Sequence, residues 1–358
     1  MPLYINPDFR RLPGGVAGAF GGDPESFFQL PAWYDLVARH GVLPGAETRV
    51  YTDERAGSAT AMALQTPARG QPRRLESLTN AHSLEHGLLY RSAADLQEAL
   101  PAIVSEILSE RPHWDCLTLS ELDPRDPSYA VLVGALRRAG LLVECSFSSG
   151  TWYQETTGLN FADYLAARPS ELRNTWRRKC CKLEQTNGLA KRFFVGGDND
   201  IDQAIADYQT VYASSWKQAE LFPTFVPELI RLAAGLRALR LGIYYLDRAP
   251  AAAQLWIVWN GRAFICKLAH DKRFDALSLG TILTMEMFER VLDEDRPREI
   301  SLGRGDDPYK KMWLPKRRER WGIMAANPRT LRGLRLGLKR QAATIYHRLQ
   351  RAGVARFR

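Results

Sequence analysis

The sequence predicts an α/β fold built from two copies of one unit, each with a mixed central sheet, followed by a basic C-terminal helix. Three observations carry this. Stretches with strand and helix patterning alternate along the chain instead of segregating. Both halves run strand, loop, helix, strand, acidic loop, helix, strand: the helix from Ala94 answers that from Thr281, the strand ending at Leu119 answers that ending at Leu302, and Asp126-Pro127-Ser128-Tyr129 answers Asp307-Pro308-Tyr309. These pairs are offset by about 180 to 190 residues, far beyond the ~20–50 of a solenoid repeat. The 358 residues, 45% hydrophobic and 25% charged, suit two ordinary globular domains.

Taken in order, residues 1–24 are rich in glycine and proline and read as an irregular arm. Ser26–Gly41 is an aromatic-rich helix closed by glycine. TRVYTDE and SATAMALQT make a hairpin, PARGQPRR a turn, and Gly87–Arg91 a short strand. Ala94–Glu110 is a helix with Leu96, Leu100, Ile103, Val104 and Leu108 on one side. A strand at Asp115–Leu119, a helix at Pro127–Arg138 ended by Gly140, and a strand at Leu141–Phe147 complete the first half. The second half begins with helices at Phe161–Ala167 and Glu171–Gln185, a strand at Lys191–Val195, and helices at Ile201–Gln218 and Pro227–Leu239. Leu241–Asp247 and Ala252–Trp259 form a hairpin, and Asn260-Gly261 turns the chain into a third strand, Arg262–His270. After a loop at Asp271–Gly280 come the helix Thr281–Asp293, the strand Glu299–Gly303, the helix Pro308–Leu314 and the strand Gly322–Ala326.

The net charge of +9 sits at one end. Residues 329–358 hold nine Lys/Arg and no Asp/Glu, and the remainder balances, 40 against 40. A second basic cluster runs from Arg168 to Arg192. Such patches attract phosphate-bearing partners: nucleic acid, anionic lipid, CoA or nucleotide sugars; a solvated helix face is the plainer reading. No stretch approaches the ~18 apolar residues of a membrane span, and the N-terminal residues lack a secretory pattern. Five irregularly spaced cysteines make no disulfide framework, which points to a reducing cytoplasm.

Several chemistries are set aside. There is no Walker loop, and Pro308 breaks the Rossmann pattern that Gly303-Arg304-Gly305 begins. His82-Ser83-Leu84-Glu85-His86 matches HxxEH, but the segment between Asn80 and Gly87 is too short for the helix a zinc site needs, so no metal is expected. Cys180 and Cys181 point ~100° apart on a helix, and with Cys266 they read as filler more readily than as nucleophiles. The informative window is Ala263–Trp313, where a strand feeds Ser278-Leu279-Gly280-Thr281 at the start of a helix. Free N–H groups there form an anion site, Gly280 lets backbone approach a ligand, and Ser278 or Thr281 either caps the helix or meets a phosphate oxygen.

The order strand–KLAHD–loop–SxG–xx–L–helix–strand–GxGDDPYKxxW resembles the acetyltransferase family found around bacterial cellulose and exopolysaccharide biosynthesis, within the GNAT superfamily, similar to the tandem-GNAT FemAB transferases. FADYLAARPSELRNTWRRKCCKLE resembles the start of that family's second unit. The resemblance covers Trp152–Ala326 and implies tandem GNAT-like units: an arm at 1–24, a degenerate unit at 25–150, a catalytic unit at 151–328 and a basic amphipathic tail at 329–358. It implies acyl-CoA, acetyl-CoA first, as co-substrate, entering where the strands Ala263–Ala269 and Glu299–Gly303 splay. Leu268, Ser278, Leu279, Gly280, Thr281 and Lys310 would hold it. A single glycine, Gly280, stands where the superfamily carries Q/RxxGxG/A. The first copy has Arg91-Ser92-Ala93 at the matching place, so one donor site is expected, in the second unit.

By the same resemblance Tyr309 protonates the leaving thiolate, and Asp307, or its rivals Asp271 and His270, takes the amine proton. Lys267, Asp306 and Arg177 bind the acceptor, an amine on a sugar or cell-envelope precursor. Asp307 with Pro308 also reads as an N-cap. Rival readings are a FemAB-like transferase using aminoacyl-tRNA and an inactive GNAT-like binding subunit. Trp256, Trp259 and Trp313 read as core or groove wall, not as a stacking platform. In the tail, Leu331, Leu334, Leu338, Ala342, Ile345 and Leu349 recur at helical spacing; they are expected to pack on the body, with some attraction to the inner membrane face.

Overall fold

The computed structural model describes residues 3–6, 24–55, 58–67 and 73–351. Most of the arm read at 1–24 lies outside them. In chain order the elements are β1 (Leu3–Asn6), α1 (Pro31–His40), β2 (Thr48–Arg55), β3 (Ser58–Gln65), β4 (Arg74–Ser77), β5 (Leu89–Tyr90), α2 (Ala93–Ser109), β6 (Cys116–Leu122), α3 (Pro127–Arg138) and β7 (Leu142–Glu155). Then come α4 (Phe161–Ala166), α5 (Ser170–Glu184), β8 (Leu189–Val195), α6 (Ile201–Ala213), α7 (Phe225–Gly235), β9 (Leu239–Leu246), β10 (Ala249–Trp259) and β11 (Arg262–His270). The chain finishes with α8 (Leu279–Arg290), β12 (Glu299–Arg304), α9 (Lys310–Trp313), β13 (Lys316–Ala326) and α10 (Leu331–Arg351).

The contacts divide the chain into two compact units. The first holds Phe28–Ser149 and the segment from Glu319 onward; the second holds Pro24–Phe27 and Gly150–Arg318. Both β7 and β13 begin in one unit and end in the other, so the chain returns to the first unit after completing the second.

In the first unit the strand order is β1-β2-β3-β4-β6-β13-β7, with β5 beside β3. α2 connects the parallel strands β4 and β6. Its stripe of Leu96, Leu100, Ile103, Val104 and Leu108 is buried against Leu117, Leu119, Leu132 and Leu136, which is why the 3.6-residue period was readable. β4 replaces part of the turn expected at 67–74, because four residues are too few to show a strand's alternation.

In the second unit the order is β7-β12-β11-β10-β9-β8. Two tight turns build its meander. Asp247-Arg248 and Asn260-Gly261 all have left-handed φ, between 44° and 70°, the condition for a two-residue turn that matches strand twist. α8 carries the chain from β11 to the parallel strand β12. Beneath the sheet, Tyr164 stacks on Phe288 at 4.6 Å, and Trp256 meets the same ring edge-on at 5.0 Å. Trp256 and Trp313 are core residues, as expected. α6 ends at Ala213, not Gln218, and that shorter helix frees a segment that matters for the site.

Candidate active site

The site forms where the second unit's sheet opens. β11 and β12 pair over three positions, Arg262–Glu299 to Phe264–Ser301. Beyond these, β11 runs on to His270 and β12 to Arg304 with no further pair between them. The register between β10 and β11 also skips Cys266, a bulge that bends β11 at the point of separation. Burial pushes the Cys266 thiol up to about 12, so it is held neutral and fills space, not acting as a nucleophile.

One wall of the gap ends at the start of α8. Ser278 stands in the left-handed conformation, φ 54°, and no side chain caps the helix. The N–H groups of Thr281 and Ile282 both go to the Ser278 carbonyl. Among the described residues, those of Leu279 and Gly280 are left as donors, with the helix dipole behind them. Leu279 contributes backbone alone, since its side chain is fully buried. Gly280 has a different reason to be glycine from the one expected. A Cβ there would stand 3.2 Å from His270 Nδ1 and 3.5 Å from Leu268, so the missing side chain lets α8 close on β11 and is not turned to a ligand.

His270 is held in place. Its Nε2 lies 2.9 Å from Asp275 and its ring meets Trp216 at 4.5 Å, while Nδ1 is buried with no hydrogen-bond partner. Asp271 is a poor candidate for a base. Its carboxylate is buried, accepts from the Arg273 N–H at 2.9 Å and forms an ion pair with the Arg273 guanidinium at 2.7 Å. The hydrogen-bonded Arg273 holds it below the usual carboxylate range, so it serves as a structural cap.

The other wall ends in the loop after β12. Gly305, at φ 112°, turns it. Lys310 is not placed to grip a cofactor: its ammonium is buried and donates to the carbonyls of Arg304 at 2.8 Å and Gly305 at 3.2 Å, with Asp307 at 3.4 Å. It staples the loop that presents Asp307 and Tyr309, both more than half exposed. Asp307 does not cap α9, which starts only at Lys310. The Tyr309 phenol is raised above its ordinary pKa by burial and by the Asp307 charge, so it is protonated at neutral pH. Asp306 is committed elsewhere. It forms a bidentate ion pair with Arg317 at 2.7 to 3.0 Å, which lowers its pKa, and lies over Gly150, where a Cβ would come within 2.8 Å of its carboxyl carbon.

Sequence reasoning missed the segment after α6. Trp216 packs on His270, and Glu220 pairs with Lys267 at 2.6 Å. Lys217 is depressed by burial and by the nearby Lys267. The signal was present in Ser214-Ser215, two poor helix residues ahead of a Trp-Lys pair, but no Gly or Pro between Val211 and Gln218 marks the break. Arg177 lies on α5, exposed, in a run with Arg173, Arg178, Lys179 and Lys182. Among the described residues none of these five has an ion pair, whereas Arg192, Arg231, Arg240, Arg290 and Lys316 of the same unit do.

The first unit supplies an internal contrast. Its parallel strands β4 and β6 pair over three positions as well. There, however, α2 is closed by its own capping box: Ser92 accepts from the Asp95 N–H at 3.3 Å and Asp95 accepts from the Ser92 N–H at 3.0 Å. Beside β6, the His86 N–H donates to the Glu121 carbonyl at 2.9 Å. The buried Arg320 is paired with both Glu85 and Asp123. The Asp126-Pro127 echo behaves conventionally, Asp126 accepting from the Ser128 N–H at 2.8 Å to cap α3. The residues His82 to His86 are not helical, so the two histidines do not share a helix face.

The fold has known counterparts. Residues 170–311 match the family model for an acetyltransferase (GNAT) domain. FemX aligns at 9% identity over 90% of this chain and 97% of its own, TM-score 0.57. A tandem GNAT protein from the clavulanic acid biosynthesis pathway aligns at 14% identity over 91% and 98%, TM-score 0.50. L-PGS from Bacillus licheniformis aligns at 11% identity over 89% and 97%, TM-score 0.50. No curated protein matches the sequence. The fold is that of tandem GNAT-like units, and the stretch that matches the acetyltransferase (GNAT) model lies within the second unit. No described helix is long and apolar enough to cross a membrane.

Proposed function

We propose that the chain is an N-acyltransferase that moves an acyl group, acetyl first among candidates, from acyl-CoA to an amino group on a sugar or other cell-envelope or exopolysaccharide precursor. The observation that carries this is the contrast between the units: both helix starts that the first unit caps, at Ser92 and Asp126, are uncapped in the second, at Ser278 and Asp307. Unspent N–H donors at a helix start suit a pyrophosphate, and a half-exposed carboxylate, paired with Lys310 and standing beside a protonated phenol, suits proton transfer.

In this reading the N–H groups of Leu279 and Gly280 receive the donor's phosphates, with the Ser278 and Thr281 hydroxyls beside them. The unpaired β11 edge at Lys267–Ala269 directs backbone dipoles at the acyl oxygen, where negative charge develops. Asp307 takes the acceptor's amine proton, directly or through water, and Tyr309 returns a proton to the departing thiolate. Lys310 positions both by fixing the loop. Lys267, held by Glu220, faces the acceptor side with His270. Asp306 and Asp271 are assigned structural work.

One observation favours a second reading. The five cations of α5, which have no ion pair among the described residues, suit a donor with many phosphates, as an aminoacyl-tRNA would be. Steady-state assays that follow thiol release from acetyl-CoA with amino-sugar acceptors test the first reading. Turnover that falls about a hundredfold or more in Asp307→Asn, with KM for acetyl-CoA little changed, supports it. Turnover with aminoacyl-tRNA and none with any acyl-CoA replaces it with the second.

A further inference from the structure

α10 packs on its own unit by an unexpected face. Gly333 is buried, and a Cβ there would lie 2.2 Å from the Asn327 carbonyl oxygen and 2.5 Å from that of Asp115. One turn on, a Cβ on Gly337 would lie 2.4 Å from Leu142. Arg340, one turn further, reaches Glu144 at 3.9 Å. The face that meets the body is thus made of glycines, which let the helix axis come close. The leucines expected to pack do the reverse: Leu331 is 76% exposed, Leu338 54%, and Leu334 is exposed between them. With Ala342, also exposed, they stand at i, i+3, i+7 and i+11, one stripe along the outer side. Arg335 and Lys339 border that stripe, both exposed, and residues 329–358 contain no acidic side chain.

We infer that α10 is a membrane-surface helix, whose leucine stripe enters the headgroup layer of a bilayer rich in anionic lipid while its cations lie among the phosphates. An outward apolar stripe bordered by Lys and Arg is the arrangement that lies flat in an interface. Charge selects the occupant. A second copy seated on this stripe would bring two sets of cations together with no acidic residue to offset them. An anionic lipid surface instead neutralises them, each Lys or Arg adding to attachment within a Debye length. The inference is independent of the acyl donor, because its residues all belong to the first unit.

Flotation of the full chain with phosphatidylcholine vesicles, with and without an equal share of phosphatidylglycerol, tests it. The chain is expected to float with the anionic vesicles, less so as salt rises, and to remain below with the neutral ones. Joint replacement Leu331→Gln, Leu334→Gln and Leu338→Gln should reduce partitioning roughly a hundredfold. The thermal midpoint should stay unchanged, since exposed side chains contribute little to folding. Arg335→Gln with Lys339→Gln should weaken attachment and flatten its salt dependence. Absence of flotation with anionic vesicles overturns the inference, as does full retention by the triple leucine variant. Lipid-free self-association that the triple variant abolishes also overturns it, in favour of a face between copies.

Discussion

At the residue scale, one side-chain type plays different parts according to what already engages it. Asp126 and Asp307 occupy matching Asp-Pro positions, yet one is spent on a cap and the other is not. Asp307→Asn should therefore lower turnover without altering stability by more than about 0.5 kcal/mol, while Asp126→Asn acts on folding and leaves turnover alone. Paired thermal melts and kinetics separate the two. Tyr309→Phe should cost about tenfold or more in turnover and remove the alkaline limb of the pH–rate profile. His86 gives a pH prediction of its own. Burial holds its imidazole at about 4, against an ordinary 6.5. The folded state keeps the ring neutral, whereas the unfolded chain takes up a proton on acidification. The stabilising contribution is full above pH 6.5 and is lost as pH falls from there to about 4, reaching about 3 kcal/mol. Urea midpoints measured across that range should fall for the native chain and stay flatter for His86→Gln.

At the element scale, the two helix starts behave oppositely. Ser92→Ala removes half a capping box and should destabilise by about 1 kcal/mol with no effect on donor affinity. Thr281→Asp places a carboxylate in the first turn of α8, where the dipole favours it, so the helix should hold while an anionic ligand is repelled. Denaturant melts and donor titrations on both variants check the exchange. The elements also show how much was legible. α2 and the β9–β10–β11 meander could be read because a buried stripe or a left-handed turn residue leaves a local signature. The roles of Asp271, Asp306 and Lys310 were not legible, because each depends on a partner: Arg273 for the first, Arg317 for the second, and the loop's own carbonyls for Lys310. Glu220 and Trp216 were hidden by the same limit, joined to Lys267 and His270 across about fifty residues of chain. In α10 the spacing was right and its orientation was not, since a stripe of leucines looks the same from sequence whether it faces the body or the solvent.

At the scale of the whole molecule, the chain divides into two compact units whose corresponding helix starts differ. In the first, the helix start is capped and the buried Arg320 is matched by two carboxylates. In the second, the equivalent helix start has no side-chain cap, and among the described residues the α5 cations have no ion pair. On the proposed donor site, one ligand-binding unit per chain is expected. Calorimetric titration of the full chain with acetyl-CoA, repeated on Thr281→Asp, tests this most directly. The prediction is one molecule bound per chain, weakened about tenfold or more by the substitution. Two molecules bound per chain, no binding by folded protein, or binding indifferent to Thr281→Asp would contradict it.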